Sequence, residues 1–100
     1  MTIKLAINGF GRIGRNILRA IYENGWQQQL QVVAINELAD AEGVAHLLKY
    51  DSSHGRFTQK VNSYPGGISV AGDKIALFAE PDPLELPWQE LAVDIVLECT

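Results

Sequence analysis

Apolar residues divide the chain into short segments whose spacing changes from one to the next. Ile3 to Ile7 is a mainly apolar run closed by Asn8-Gly9, the pattern of a buried strand. From Arg12 to Asn24 the period becomes helical. Ile13, Ile17, Leu18 and Ile21 make one stripe, while Arg12, Arg15, Asn16, Arg19 and Glu23 fill the other side. Asn24-Gly25 stops that helix, because both residue types tolerate the left-handed conformation. Leu30 to Ile35 is rich in branched apolar residues and reads as a second strand. The stretch from Ile3 to Asn36 has the length of one strand–helix–strand unit, whose right-handed crossover makes the two strands parallel neighbours. Asp40 is placed to cap a second helix running through Leu48, with Val44, Leu47 and Leu48 as its buried face.

The middle of the chain follows a different rhythm. Phe57, Gln59 and Val61 alternate with polar positions, and Ile68 and Val70 follow a Pro65-Gly66-Gly67 turn. Gly72-Asp73 separates Val70 from Ile75 as a hairpin turn. This predicts a small antiparallel excursion returning as a strand from Ile75 to Ala79. Pro81, Pro83 and Pro87 mark a loop, Trp88 to Leu91 a helical turn, and Val93 to Leu97 a last buried strand. A chain that stops at Thr100 with no helix over that strand reads as the truncated front of a larger unit.

Composition narrows the function classes. Of 100 residues, 47% are hydrophobic and 20% charged, which suits a folded domain rather than a disordered chain. The net charge of −4, without a basic run, speaks against a nucleic-acid surface. The lone Cys99 excludes an internal disulfide and any multi-cysteine metal site. Asn8 interrupts the opening apolar run before an export signal could form, and no run approaches a membrane span, so a cytoplasmic location is expected.

Gly9-Phe10-Gly11-Arg12-Ile13-Gly14 fits the pattern G-x-G-x-x-G in its required context, after a strand and at the start of an amphipathic helix. Gly9 permits a tight turn, Gly11 lets the backbone approach a diphosphate, and Gly14 lets the helix pack close to the strand. Backbone N–H groups near Arg12 and Ile13 would face the diphosphate. The Arg12 side chain either touches phosphate or is a solvated first-turn residue, and its backbone is the favoured contact. The same fingerprint places a carboxylate about 20 residues further on as acceptor for the adenosine ribose hydroxyls. Glu37 stands there, at the end of the second strand, with Asn36 beside it. A carboxylate there repels a 2′-phosphate and so favours NAD over NADP. The plainer reading is a solvated acid at a strand end.

These residues resemble a specific family. Ala6 to Arg15 looks like the opening of phosphorylating glyceraldehyde-3-phosphate dehydrogenases and their relatives, and Leu47 to Phe57, including Lys49-Tyr50-Asp51-Ser52-Ser53-His54-Gly55-Arg56, matches a second signature. Leu86-Pro87-Trp88 and Asp94 to Thr100 supply two more. The resemblance implies a Rossmann-type, doubly wound α/β nucleotide-binding domain, incomplete here, with the antiparallel excursion as an elaboration. It also implies a separate catalytic domain downstream and a homotetramer. It assigns diphosphate contacts to Arg12 and Ile13, the ribose contact to Glu37, and positions in the cofactor cleft to Asn8, Asn36 and Thr100. Within the family, Asn36-Glu37-Leu38-Ala39-Asp40 is similar to the branch that oxidises erythrose 4-phosphate, since the glyceraldehyde-phosphate branch usually carries aspartate where Glu37 stands. That branch uses a thiolate and NAD, and hydrolyses the thioester to 4-phosphoerythronate on the route to pyridoxal phosphate. Pro81 is a departure: the family usually carries arginine there, near the adenine, and proline offers neither charge nor a backbone donor.

No catalytic residue is expected in this chain. Cys99 ends an apolar strand, where a free cysteine packs as a small hydrophobe, and the family's nucleophile motif does not occur in the sequence. His46 and His54 have no partnering cysteine and too few companions for a zinc site. Asp51-Ser52-Ser53 and Arg56 are explained by turn chemistry, with a role near subunit contacts implied by the resemblance. Two other readings stay open: an NAD-binding module without chemistry, and a segment that folds only against a partner.

Overall fold

The computed structural model describes residues 2–50, 59–81, 86 and 88–99. Asp51, Ser52, Ser53, His54, Arg56, Phe57, Pro83, Pro87 and Thr100, all singled out above, lie outside the described residues. The elements are β1 (Ile3–Asn8), α1 (Arg12–Glu23), a 3₁₀ turn (Trp26–Gln28), β2 (Leu30–Asn36), α2 (Ala41–Tyr50), β3 (Val61–Tyr64), β4 (Gly67–Val70), β5 (Asp73–Phe78) and β6 (Ile95–Glu98).

One six-stranded sheet takes the order β3-β4-β5-β2-β1-β6. β5, β2, β1 and β6 run parallel, and β3 and β4 extend the β5 edge antiparallel. The chain therefore winds outward from β1 through β2 to β5, then crosses back to place β6 on the other side of β1. Such a reversal leaves a crevice at the carboxyl ends of the strands, where ligands of open α/β sheets bind. This is the doubly wound architecture expected from the sequence.

A register shift between Leu5 and Ala6 builds the core. Leu5 pairs with Val32, but Ala6 pairs with Ala34, so β2 carries one extra residue, Val33. In an uninterrupted strand Val32 and Ile35 would face opposite sides. The bulge lets both join Leu5 and Ile7 in one cluster, together with Leu18, Ile21 and Tyr22 of α1, Val44 and Leu48 of α2, and Ile68, Val70 and Ile75 of the antiparallel part.

Several details differ from the periodicity. The buried stripe of α1 is Gly14, Leu18, Ile21 and Tyr22, with Arg19 also buried, whereas Ile13 is 64% exposed. Gly14 decides this phase, because the helix touches the strand where no side chain intervenes, which turns Ile13 about 100° away. Arg19 sits between Leu18 and Tyr22 at the stripe's margin, not on the solvated side. In α2, Ala45 replaces Leu47 on the inner face, and Leu47 is exposed. Asp40 caps α2 as expected: its Oδ1 accepts the Gly43 N–H at 2.7 Å. Asn24-Gly25 ends α1, with Gly25 at φ 71°.

The hairpins also shift slightly. The β4–β5 loop is Ala71-Gly72, not Gly72-Asp73, because Asp73 already pairs with Val70. Both loop residues have positive φ, 53° and 89°, as a primed turn requires. Pro65-Gly66 joins β3 to β4, with Gly66 at φ 92°. β3 begins at Val61, so Gln59 precedes the strand. Trp88 to Ala92 forms turns, and β6 follows as an edge strand whose Ile95 and Val96 are exposed, not buried. Asp94 sets its register by exchanging two 2.8 Å bonds with the Lys4 backbone. Among the described residues, no helix is long and apolar enough to cross a membrane.

Candidate cofactor site

The carboxyl ends of β1, β2, β5 and β6 meet at a cleft of about 480 Å³ lined by Gly9 and Gly11 of the glycine loop and by Asn8, Asn36, Glu37, Leu38, Glu80, Pro81, Glu98 and Cys99. The glycine loop forms one wall. Gly9 sits at φ 90°, a conformation that a residue with a Cβ adopts only under strain. Gly11 is the N-cap of α1, and no side chain caps the helix there. A Cβ built on Gly11 would meet no atom within 4 Å, so its place is open space beside the cleft. A Cβ on Gly14, by contrast, would lie 2.8 Å from the Gly9 carbonyl oxygen, 3.1 Å from Ile7 Cγ2 and 3.3 Å from Phe10 Cδ1. Gly9 and Gly14 thus have the physical reasons expected of them, a turn and a close packing, and Gly11 leaves open space. Arg12 and Ile13 are exposed at the helix start.

Side-chain amides make the floor. Asn36 Nδ2 donates to Asn8 Oδ1 at 2.8 Å and to the Glu80 carbonyl at 2.9 Å, while its Oδ1 accepts the Glu80 N–H at 2.9 Å. Asn8 Nδ2 in turn donates to both oxygens of Glu98, at 2.8 and 3.1 Å. Asn8 and Asn36 are both buried, and this row ties the ends of β1, β2 and β6 to the backbone of Glu80, two residues past β5.

Glu37 stands at the mouth. One carboxylate oxygen accepts the Phe10 N–H at 2.9 Å and the other accepts the Ala39 N–H at 3.3 Å. An ionised carboxylate offers about four acceptor positions, so two remain for ligand hydroxyls. Cys99 reaches the same cleft, and burial, with the charge of Glu98 adding to it, pushes its thiol pKa up. A thiol held protonated is a poor nucleophile. Among the described residues no group of three or more His, Cys, Asp or Glu could hold a metal ion.

Of the residues the sequence points to, Asn8, Gly9, Gly11, Asn36 and Glu37 line this cleft; Phe10 and Gly14 are buried behind it, Arg12 and Ile13 are exposed at the start of α1 outside its lining, and Thr100 lies outside the described residues. The sequence reading missed Leu38 and Glu98. A usable signal existed for Glu98: β6 changes from apolar to polar at the end facing the cleft, as β1 and β2 do at Asn8 and Asn36.

A doubly wound sheet, a glycine turn opening an uncapped helix, and a carboxylate at the end of the next strand define a dinucleotide-binding domain. The chain matches, over residues 3–100, the family model described as glyceraldehyde 3-phosphate dehydrogenase, NAD binding domain. It belongs to the glyceraldehyde 3-phosphate dehydrogenase family, whose cofactor in this domain is NAD. The residues fit that cofactor: the space a Gly11 Cβ would fill and the uncapped N–H groups of α1 suit a diphosphate, and Glu37 keeps acceptors for ribose hydroxyls.

Proposed function

We propose that this chain is the amino-terminal part of the NAD-binding domain of an aldehyde-phosphate dehydrogenase that oxidises erythrose 4-phosphate to 4-phosphoerythronate. The catalytic domain and the aldehyde-phosphate site belong to sequence outside these 100 residues, and the full-length enzyme is a cytoplasmic homotetramer. The observation that carries the cofactor assignment is the uncapped start of α1, opening beside Gly11 onto a cleft with Glu37 at its mouth. NAD, when bound, supplies the hydride acceptor. The residues of this chain hold and orient it. Backbone N–H groups of Arg12 and Ile13 receive the diphosphate, Gly9, Phe10, Gly11 and Gly14 shape the loop, and Glu37 accepts from the adenosine ribose. Asn8 and Asn36 set the floor, and the family resemblance assigns Thr100 to the same cofactor. None of these residues carries the chemistry at the aldehyde.

The sequence Asn36-Glu37-Leu38-Ala39-Asp40 supports erythrose 4-phosphate as substrate; the family's description favours glyceraldehyde 3-phosphate as the rival. NADH formation by the full-length protein decides between them. A higher kcat/KM for erythrose 4-phosphate, without a requirement for inorganic phosphate, is expected. Phosphate-dependent turnover that prefers glyceraldehyde 3-phosphate would reject the assignment.

A further inference from the structure

In a dinucleotide fingerprint the glycine loop meets the diphosphate and the carboxylate meets the ribose. Here they are bonded to each other across 27 residues of sequence. Two successive N–H groups of the loop are taken by two successive residues at the tip of β2. Gly9 N–H donates to the Asn36 carbonyl at 2.9 Å, and Phe10 N–H donates to Glu37 Oε1 at 2.9 Å. Phe10 is also anchored by its ring, which is 2% exposed within the core. Glu37 is itself held at both ends: its own N–H donates to the Phe78 carbonyl at 2.7 Å, and its second oxygen receives the Ala39 N–H. The carboxylate is therefore a fixed strut between β2 and the residue immediately before the α1 N-cap.

We propose that Glu37 is a positioning residue for the diphosphate as well as an acceptor for the ribose: by holding the Phe10 N–H it keeps the loop shaped so that the first N–H groups of α1 face the cleft. The inference rests on the seating of NAD proposed above. Without the strut, the link between Gly9 at φ 90° and the N-cap at φ −79°, ψ −157° keeps the Gly9 N–H bond to Asn36 and the longer 3.4 Å bond from Arg15 Nη1 to the Phe10 carbonyl, but loses its tether on the Phe10 N–H. The loop then samples shapes in which the helix start is aimed elsewhere, and ordering it again opposes binding. The ribose does not have to displace the strut, because each carboxylate oxygen has a second lone-pair position.

Charge and tether can be separated by choice of variant and ligand. Glu37→Gln keeps an oxygen of the same reach for the Phe10 N–H, at the expense of the longer bond from Ala39, while Glu37→Ala removes both. A cofactor analogue lacking the 2′ and 3′ hydroxyls of the adenosine ribose has no ribose donor for residue 37 to accept. Calorimetric titration of the full-length protein with NAD and with this dideoxy analogue is the test, together with amide hydrogen exchange at Phe10 in ligand-free protein. The expected result is that Glu37→Gln binds the analogue within about twofold of the parent. Glu37→Ala should bind it about tenfold more weakly, the scale of one charge-assisted hydrogen bond, with faster exchange at Phe10. Equal affinity of parent and Glu37→Ala for the analogue, with NAD still bound by the parent, overturns the positioning role alone. A parent that fails to bind NAD overturns the cofactor seating and this inference with it.

Discussion

Gly11 and Gly14 are three residues apart, at the N-cap and in the first turn of α1, yet the structure assigns them opposite failures. An alanine Cβ at position 14 would stand 2.8 Å from a backbone oxygen and within 3.3 Å of two core side chains. The Gly9 carbonyl belongs to a turn with a left-handed residue and cannot swing aside, so α1 must retreat by roughly 0.5–1 Å to reach ordinary contact distances. Overpacking of this kind costs about 1–3 kcal/mol, offset by up to about 1 kcal/mol from alanine's better helix propensity. Three simultaneous contacts, one of them to backbone, favour the upper part of the range, for a net loss of about 2 kcal/mol. In a domain of this size that lowers the thermal midpoint by roughly 8–16 °C. At Gly11 a Cβ meets no protein atom within 4 Å and the φ of −79° suits any residue, so for Gly11→Val stability should change by less than about 1 kcal/mol. The valine instead fills the clearance needed by the diphosphate and should abolish NAD binding with the secondary structure intact. Thermal unfolding followed by circular dichroism and calorimetric NAD titration measure the two effects. An unchanged midpoint in Gly14→Ala, or parental NAD affinity in Gly11→Val, would refute the division of roles.

Glu37→Ser should weaken NAD binding tenfold or more and narrow the preference over NADP, since a charged acceptor worth roughly 1.5–3 kcal/mol and a repelling charge go together; undiminished discrimination between the cofactors would place the ribose contact elsewhere. Alkylation of Cys99 should follow a pH profile displaced to the alkaline side of a free thiol, and Cys99→Ala should leave dehydrogenase turnover of the full-length protein unchanged; an acid-shifted profile or lost turnover would contradict this. Tyr22 donates its hydroxyl to Asp73 at 2.9 Å, and burial, helped by that bond and the aspartate's charge, raises its pKa. The folded protein then keeps a proton that the unfolded chain releases, so stability is fully present below about pH 10 and is lost progressively above it. Tyr22→Phe should flatten that alkaline slope in urea titrations at stepped pH, and an equally steep slope in the variant would show that other groups set it.

The parts of the fold that local chemistry fixes were legible in the sequence. The change of period at Gly9, the Asn24-Gly25 stop, the Asp40 cap and the glycine turns each depend on residues within a few positions, and each lies where the pattern put it or one residue away. What escaped depends on contacts between elements. The helical period of α1 is correct, but its phase is set by Gly14 meeting Ile7 and Gly9, which no average over apolar residues detects. Arg19 was placed with the polar side for the same reason. The extra residue in β2 is invisible because Val32, Val33, Ala34 and Ile35 are all apolar, and only the pairing with β1 shows which of them is passed over. Exposure of Ile95 and Val96 follows from β6 lying at the sheet edge, a property of topology rather than of the strand's own sequence.

The candidate cofactor site was legible to the extent that it is made of backbone. G-x-G-x-x-G announces a turn and a free helix start because both demand glycine, whatever surrounds them. The polar row at the strand ends announces itself less clearly, since asparagine at a strand end reads equally well as solvated. Its meaning emerges from pairing: Asn36 satisfies Asn8 and both backbone groups of Glu80, and Asn8 satisfies Glu98. An amide bonded on every side makes a poor ligand donor, because each new bond would break an existing one in a buried setting where the loss costs about 1–3 kcal/mol. Asn8 and Asn36 therefore fix the spacing of the strand tips, which fixes where Glu37 stands relative to Phe10. The α1 N–H groups and the outer lone pairs of Glu37 are the ligand-binding groups that this floor positions.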